Sequence, residues 1–228
     1  MAIFKLTNKL LFPPPHLAEP DGLLAVGGDL RVERLLEAYS RGIFPWYEES
    51  SPILWWSPDP RFVLFPDELR ISRSLRQTIK KGIYATTTDK AFEEVIKSCA
   101  EVKRKGSSGT WLTDEMIKAY IALHRLGLAH SVESWYEDEL VGGLYGVALG
   151  AVFFGESMFT KKSNASKVAF VKTVQKLKDW GFVIIDCQIV TRHLFSLGAR
   201  TIRRSLFLEI LKEALSKKTA PWGQNFSE

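Results

Sequence analysis

Hydrophobic positions along the chain recur first at helical spacing, then at strand spacing, and the change of period marks out the elements. Residues 33–40 carry Leu35, Leu36 and Tyr39 on one helical side, and Gly42 stands just past the end as a stop. Residues 72–81 read as a helix with Leu75 and Ile79 inward. Residues 90–102 place Phe92, Val95, Ile96, Cys99 and Ala100 at i, i+3, i+4, i+7 and i+8. Thr113 caps a further helix, with Leu112 and Ile117 as a hydrophobic staple across the cap; Tyr120, Ile121 and His124 share its inner face and Gly127 ends it. Strands follow over residues 130–137, 141–149 and 151–159, the last two joined at Gly150 as a hairpin. Residues 163–181 form a helix capped by Ser163 or Asn164 and closed by Gly181, with Val168, Val171, Val174 and Leu177 facing in. A continuous apolar strand over 182–188, a short helix over 192–197 ending at Gly198, and a last helix over 205–215 complete the chain. Hairpins that lead into a strand–helix–strand crossover imply an α+β fold.

The N-terminal stretch is different. Prolines at 13–15, then Pro20, Pro45, Pro52, Pro58, Pro60 and Pro66, make it loop-rich, and composition becomes regular only afterwards. The expected division is a small N-terminal domain over residues 1–66 and a larger domain over 67–228. Phe44, Trp46, Tyr47, Trp55 and Trp56 crowd the smaller part. Trp55 and Trp56 suit a small core, whereas Trp46, after Pro45 on a loop, suits an exposed stacking surface.

Composition narrows the function classes only slightly. The chain has 228 residues, 46% hydrophobic and 25% charged, with a net charge of +5. That excess accommodates a local nucleic-acid patch without indicating one. No apolar run reaches the ~18 residues of a membrane helix, and no signal-peptide pattern opens the sequence, so the expected compartment is the cytoplasm. Cys99 and Cys187 sit inside apolar patterns as buried thiols. His16, His124, His130 and His193 are scattered with no metal-ligand spacing, so neither a metal nor a cofactor is expected. Gly150 to Gly155 has the spacing of a P-loop, but Glu156, before Ser157, stands where Lys is required. No GxSxG elbow is present for serine catalysis.

Three polar residues are embedded in the sheet pattern. Glu156 follows a glycine-rich apolar run, and Asp186 and Gln188 end another. If that strand is regular, Phe182, Ile184, Asp186 and Gln188 line one face. A buried carboxylate without a partner is costly, so each either pairs structurally, for example with an Arg, or serves a site. Residue types alone leave both readings open.

The strings GIFPWY (42–47), ILWWSPDPR (53–61), GTW (109–111), VGGLYGVALG (141–150), GESMF (155–159), NASK (164–167) and IDCQ (185–188) together resemble the leucyl/phenylalanyl-tRNA–protein transferases, in that family's order and near its spacing. The resemblance runs from about Phe12 to Phe207. It implies a catalytic domain of the GNAT acetyltransferase type behind a small N-terminal domain. It implies transfer of Leu or Phe, with Met as a further candidate, from aminoacyl-tRNA to proteins that begin with Arg or Lys, marking them for N-end-rule degradation. The partners it implies are therefore aminoacyl-tRNA and such proteins, handled by a monomer with no membrane attachment.

The resemblance also implies roles for individual residues. Asp186 and Gln188 would activate the incoming amine and Glu156 would contact substrate. Leu144, Phe153, Met158, Phe170 and Ile185 would wall the pocket for the donor's side chain, with Phe170 standing where a smaller aliphatic is common. Strict alternation puts Phe154 rather than Phe153 beside Met158, so a bulge at Gly155 is inferred. Trp46 and Trp111 would clamp the terminal adenosine, with Tyr120 among the substrate-binding set. Lys161, Lys162, Lys167, Arg200, Arg203 and Arg204 could track tRNA phosphates, or form a solvated surface.

Two rivals differ in class. A GNAT-type N-acetyltransferase would need the pyrophosphate loop Arg/Gln-x-x-Gly-x-Gly/Ala, and the nearest string, 104–109, has Ser107 where glycine is required. A non-catalytic RNA-binding module could use the same tryptophans and basic residues, but would leave Asp186 and Gln188 without a purpose.

Overall fold

The computed structural model describes residues 3–102 and 112–223. In chain order the elements are β1 (Phe4–Leu6), β2 (Leu23–Gly27), α1 (Val32–Ser40), β3 (Phe44–Pro45), β4 (Leu54–Trp56), β5 (Arg61–Leu64), α2 (Arg73–Lys80), β6 (Ala85–Thr88) and α3 (Phe92–Ala100). They continue with α4 (Asp114–Arg125), β7 (Ala129–Tyr136), β8 (Glu139–Leu149), β9 (Val152–Thr160), α5 (Ala165–Asp179), β10 (Ile184–Gln188), α6 (Arg192–Ser196), β11 (Arg200–Ile202) and α7 (Arg204–Leu215). Short helical turns at Pro15–Leu17 and Pro66–Glu68 punctuate the loops.

A small sheet takes the order β1-β2-β4-β3, and a seven-stranded sheet the order β11-β5-β10-β9-β8-β7-β6. In the larger sheet only β9 and β10 run parallel; its other described neighbours are antiparallel. The α+β expectation, a mixed and mostly antiparallel sheet flanked by helices, is what the structure has. One strand lies across the sequence-based partition: β5 precedes Pro66, yet it pairs with β10 and β11 of the larger sheet.

Each face of the large sheet has its own core. Val152, Phe154 and Ile184 belong to one cluster with the inward residues of α1, α3, α4 and α7. Phe153, Ile185 and Cys187 belong to the other, with α5 and Leu75 of α2. The helical stripes are as the sequence period implies. Phe92, Val95, Ile96 and Cys99 of α3 are buried, as are Val168, Val171, Val174 and Leu177 of α5. The Thr113 hydroxyl accepts from Met116 N–H and caps α4 as expected, and the Ser72 hydroxyl caps α2 by accepting from Leu75 N–H. At α5 the expectation fails: Asn164 holds the cap position in a left-handed conformation, φ 65°, and its side chain makes no capping bond.

Glycines in β8 and its turn are explained by close approach. A Cβ on Gly150, already at φ +53°, would stand 2.6 Å from the Ala214 carbonyl oxygen, because the end of α7 packs onto this hairpin. A Cβ on Gly146 would collide with the Phe154 carbonyl oxygen and stand 2.5 Å from the Phe153 ring. Gly146→Ala should therefore push Phe153 from its position and lower stability by about 1–3 kcal/mol, the usual cost of overpacking. Urea unfolding of the variant beside the parent protein measures it, and an unchanged midpoint would show that β9 yields without cost.

Candidate active site

The central parallel pair opens into a cavity. β9 and β10 are in register at Val152–Ile184, Phe153–Ile185 and Phe154–Asp186. Just beyond, each strand becomes irregular. Between β8 and β9, Tyr145 pairs with Ser157 while Gly146 pairs with Gly155, which leaves Glu156 as the extra residue of a bulge. Between β5 and β10, Val63 faces Asp186 and Phe62 faces Gln188, which leaves Cys187 over. Gln188 closes this second irregularity at φ 62°, a left-handed conformation uncommon outside glycine. A cavity of about 490 Å³ occupies the space where the strands part.

The inferred bulge is thus present, and it resolves the alternation. Phe153 and Met158 lie on the same side with Leu144, Phe170 and Ile185, and all five line the cavity. Phe154 packs on the opposite face against Tyr39, ring centroids 4.9 Å apart. Glu156, Gln188, Trp46 and His193 are among the polar and aromatic residues of the lining, with Tyr145 and Ser157.

Glu156 is buried, yet the described residues offer it no cation. Its Oε1 accepts from Tyr39 Oη at 2.8 Å and from Gln188 Nε2 at 2.8 Å, and its Oε2 accepts from Tyr120 Oη at 2.8 Å. Burial pushes its pKa up, and the charge of Asp186 adds to that; the three hydrogen bonds pull the other way, leaving it at about 7. Tyr39 and Tyr120 are pushed well above the ordinary tyrosine range, first by burial and then by the Glu156 charge, so both hydroxyls keep their protons.

Asp186 is the opposite case. Arg61 Nε and Nη2 donate to its two oxygens at 2.8 and 2.6 Å, with both side chains out of solvent. The guanidinium lies between the rings of Phe44 and Phe207, 4.7 Å from each centroid. Asp186 Oδ1 also accepts the backbone N–H of Gln188 at 3.0 Å. The regular-strand expectation therefore needs correcting at both ends. Phe182 lies outside β10 and in the other core from Ile184, and Gln188 lines the cavity while Asp186 does not. Asp186 reaches Gln188 through the backbone turn, and the Gln188 side chain is held by Glu156 instead.

The remaining candidates divide. Trp46 is 38% exposed at the cavity, tilted against Trp56 at 5.7 Å, while Trp55 is wholly buried, as expected of a core residue. Trp111 lies outside the described residues, as does most of the basic loop over 101–109. Tyr120 stands behind Glu156 and is not part of the cavity wall. Lys161, Lys162 and Arg203 are exposed, and Lys167 is half-buried on α5. Arg200 is engaged by Glu68 at 2.7 Å, and Arg204 is half-buried with its guanidinium on the Ser57 carbonyl, so neither is presented as an open cation. His124 stacks on Phe92, His130 is held by Asp89, and His193 is pushed below the usual histidine range by burial and by Lys167. No metal-binding cluster of His, Cys, Asp and Glu occurs among the described residues, and no described helix is long and apolar enough to cross a membrane.

Sequence reasoning missed Tyr39 and Arg61 as site residues. A tyrosine at an inward helical position was the available signal, since a buried hydroxyl demands a partner. Arg61 gave none, because nothing local told that its strand would be buried throughout.

A family model described as leucyl/phenylalanyl-tRNA protein transferase matches residues 63–212, and one described as the N-terminal domain of that protein matches residues 28–59. The leucyl/phenylalanyl-tRNA–protein transferase of Syntrophobacter fumaroxidans is 62% identical over 213 residues, covering 93% of this chain and 91% of that protein. The one of Myxococcus xanthus is 58% identical over 221 residues, covering 96% and 94%. Among solved structures, L-PGS from Bacillus licheniformis aligns with a TM-score of 0.41 at 13% identity, over 70% of this chain and 51% of that one. A GCN5-related N-acetyltransferase from Kribbella flavida aligns at 0.38 and 11%, over 73% and 59%.

Two stability measurements test the charges at this site. Asp186→Ala strands a buried guanidinium, so it should cost about 3–5 kcal/mol in denaturant unfolding. A loss under ~1 kcal/mol would mean that water or a rearranged side chain satisfies Arg61. Glu156 has a folded pKa of about 7 against an ordinary 4.5, so folding takes up a proton between those values. Its contribution is complete below pH 4.5 and is lost as pH rises to about 7, on the order of 3 kcal/mol in all. Parent stability minus that of Glu156→Gln should fall across this window and level off above it. A difference independent of pH would place the Glu156 titration elsewhere.

Proposed function

The chain belongs to the leucyl/phenylalanyl-tRNA–protein transferase family, and we propose that the cavity between β9 and β10 is where its aminoacyl transfer takes place. It is an aminoacyltransferase that moves an amino acid from aminoacyl-tRNA to a protein amino terminus. One observation carries the placement. Five apolar side chains from β8, β9, α5 and β10 wall a single cavity that also holds Glu156, Gln188 and an exposed tryptophan.

In this reading Leu144, Phe153, Met158, Phe170 and Ile185 receive the side chain of the donor Leu or Phe. Met158 is unbranched and adjusts to both shapes. Trp46 offers a face on which the terminal adenine stacks. The exposed Lys161, Lys162 and Arg203 are the cations best placed for tRNA phosphates, and the acceptor is a protein beginning with Arg or Lys. The enzyme works as a single chain.

The chemistry needs little beyond positioning, because the ester is already activated and a neutral amine is a good nucleophile. Gln188 donates from Nε2 to Glu156, which turns its carbonyl oxygen into the acceptor left for an N–H of the incoming amine. Asp186 acts on this amide at one remove, by fixing the backbone of Gln188. Glu156, titrating near neutrality, is matched to moving a proton at that pH.

The direct test is incubation of the protein with labelled Leu-tRNA and an Arg-initiated peptide, scored for label on the peptide. Met158→Trp should reduce transfer of Phe more than transfer of a smaller residue. A common factor for all donors would make Met158 framework and move the selectivity wall elsewhere. Gln188→Ala should cut single-turnover transfer by about 10²-fold or more with donor still bound, and a parental rate would remove Gln188 from the chemistry.

A further inference from the structure

The contacts around Glu156 contain more oxygen pairs than an ionised carboxylate can fill with protons. Tyr39 Oη lies 2.6 Å from Tyr120 Oη, Tyr39 Oη lies 2.8 Å from Glu156 Oε1, and Tyr120 Oη lies 2.8 Å from Glu156 Oε2. These contacts close a ring of three groups. Each phenol has one proton to give. With Glu156 ionised, both phenol protons point at the carboxylate, and the short contact between the two phenol oxygens has no hydrogen in it. With Glu156 protonated, the carboxyl donates to Tyr120, Tyr120 donates to Tyr39, and Tyr39 donates back to the other carboxyl oxygen. All three contacts are then hydrogen bonds, and Gln188 Nε2 still donates to Oε1 with a proton of its own.

We propose that Glu156, Tyr39 and Tyr120 form a ring complete only with one proton more than the ionised form, and that this ring lodges the proton of the transfer reaction. The second half rests on the transferase reading; the first does not. In the transfer, the amine nitrogen bonds to the ester carbonyl carbon, and the bond from that carbon to the ribose oxygen breaks with its electron pair going to oxygen. One proton leaves nitrogen and one arrives at the ribose oxygen, so none is gained or lost overall. Glu156 lines the cavity, takes up the first and supplies the second, while the ring closes and reopens. Tyr39 and Tyr120 are positioning residues in this scheme, since they act through Glu156.

Among the described residues, the ring is faced by Gln188, Asp186 and Tyr145. Tyr39 comes from α1, Tyr120 from α4, and Gln188 with Asp186 from β10. Asp186 is committed to Arg61 of β5. Tyr145 of β8 packs edge-on against Tyr120 at 5.4 Å, and its phenol adds to the burial that pushes the Tyr39 hydroxyl up.

Infrared difference spectroscopy of the substrate-free protein with isotope-labelled glutamate reads the ring directly. A protonated-carboxyl band that Glu156→Gln removes should titrate away near neutral pH. Tyr39→Phe, Tyr120→Phe and the double variant decide. Independent donors to a carboxylate shift the midpoint by amounts that add, whereas in the ring either single change also removes the phenol–phenol bond of the protonated form, so the double variant's midpoint lies above the sum of the single shifts by about one pH unit, the worth of one hydrogen bond. Additive shifts overturn the ring, as does the absence of the band. Thermal melts establish that the variants are folded. Single-turnover transfer from Leu-tRNA to an Arg-initiated peptide tests the second half: the acid limb of its pH profile should move with the infrared midpoint. A limb that stays while the band moves overturns the lodging of the proton. Absence of transfer by the parent protein overturns the transferase reading and leaves the ring to the infrared result.

Discussion

The ion pair between Arg61 and Asp186 is the constraint on which the geometry of the cavity depends. Two opposite charges are taken wholly out of water, which costs several kcal/mol per ion unless geometry and further contacts offset it. Here the offset is bidentate hydrogen bonding together with two aromatic faces stacked on the guanidinium. The pair gathers Phe44 from the N-terminal part, β5, β10 and α7 around one point. It also fixes the next turn of the chain. Asp186 accepts the Gln188 N–H, Gln188 itself takes the left-handed conformation, and its side-chain amide reaches Glu156. A strained residue at the end of a buried strand is thus held by a charge that never reaches the cavity.

The neighbouring carboxylate is treated in the reverse manner. Asp186 meets a guanidinium, whereas Glu156 meets two phenols and an amide, all neutral. Ordinary neutral hydrogen bonds do not make up for full burial of a charge, so Glu156 titrates near neutrality. Two acidic residues on adjacent strands, one facing an ion and one facing hydroxyls, thereby differ in kind: one is paired and bonded to the backbone, and the other changes protonation near neutral pH. Pairs whose environments differ in this way are the arrangement from which acid–base assignments follow.

How much of this could be read in the sequence varied with the range of the interaction. Helix period, the Gly150 hairpin and the α4 cap depend on residues within a turn or two of each other, and they were legible. The bulge in β9 was inferred as well, because the family resemblance put Phe153 and Met158 on one wall, which they could share only if one residue was left over between them. The turn at Gln188 was not. Nothing in IDCQ distinguishes a regular strand from one bent by a carboxylate whose partner lies 125 residues away. The same holds for Tyr39 and Glu156, separated by 117 residues. A one-sequence reading sees that a polar group is buried, and so must be satisfied, without seeing by what. That is why Asp186 could be read equally as an arginine's partner or as part of the site; the structure pairs it with Arg61 and gives it the Gln188 N–H.

The N-terminal part shows why a division drawn from composition is not a division of labour. Residues 28–59 match a family model of their own, and their loops and prolines set them apart from the large sheet. Yet this stretch supplies Tyr39 to the buried carboxylate, Phe44 to the ion pair and Trp46 to the cavity wall. Each is delivered by a short element whose own core is small: Tyr39 by the nine-residue α1, and Phe44 by the two-residue β3, which leads directly to Trp46. Such elements have too little apolar area to hold a precise position alone. They obtain it by packing on α4 and α7, in the same hydrophobic cluster as Phe154 and Ile184. Disturbing that packing would therefore act on the protonation of Glu156, the alignment of Asp186 and the position of Trp46 together, so the smaller part is one wall of the cavity and not an appendage to it.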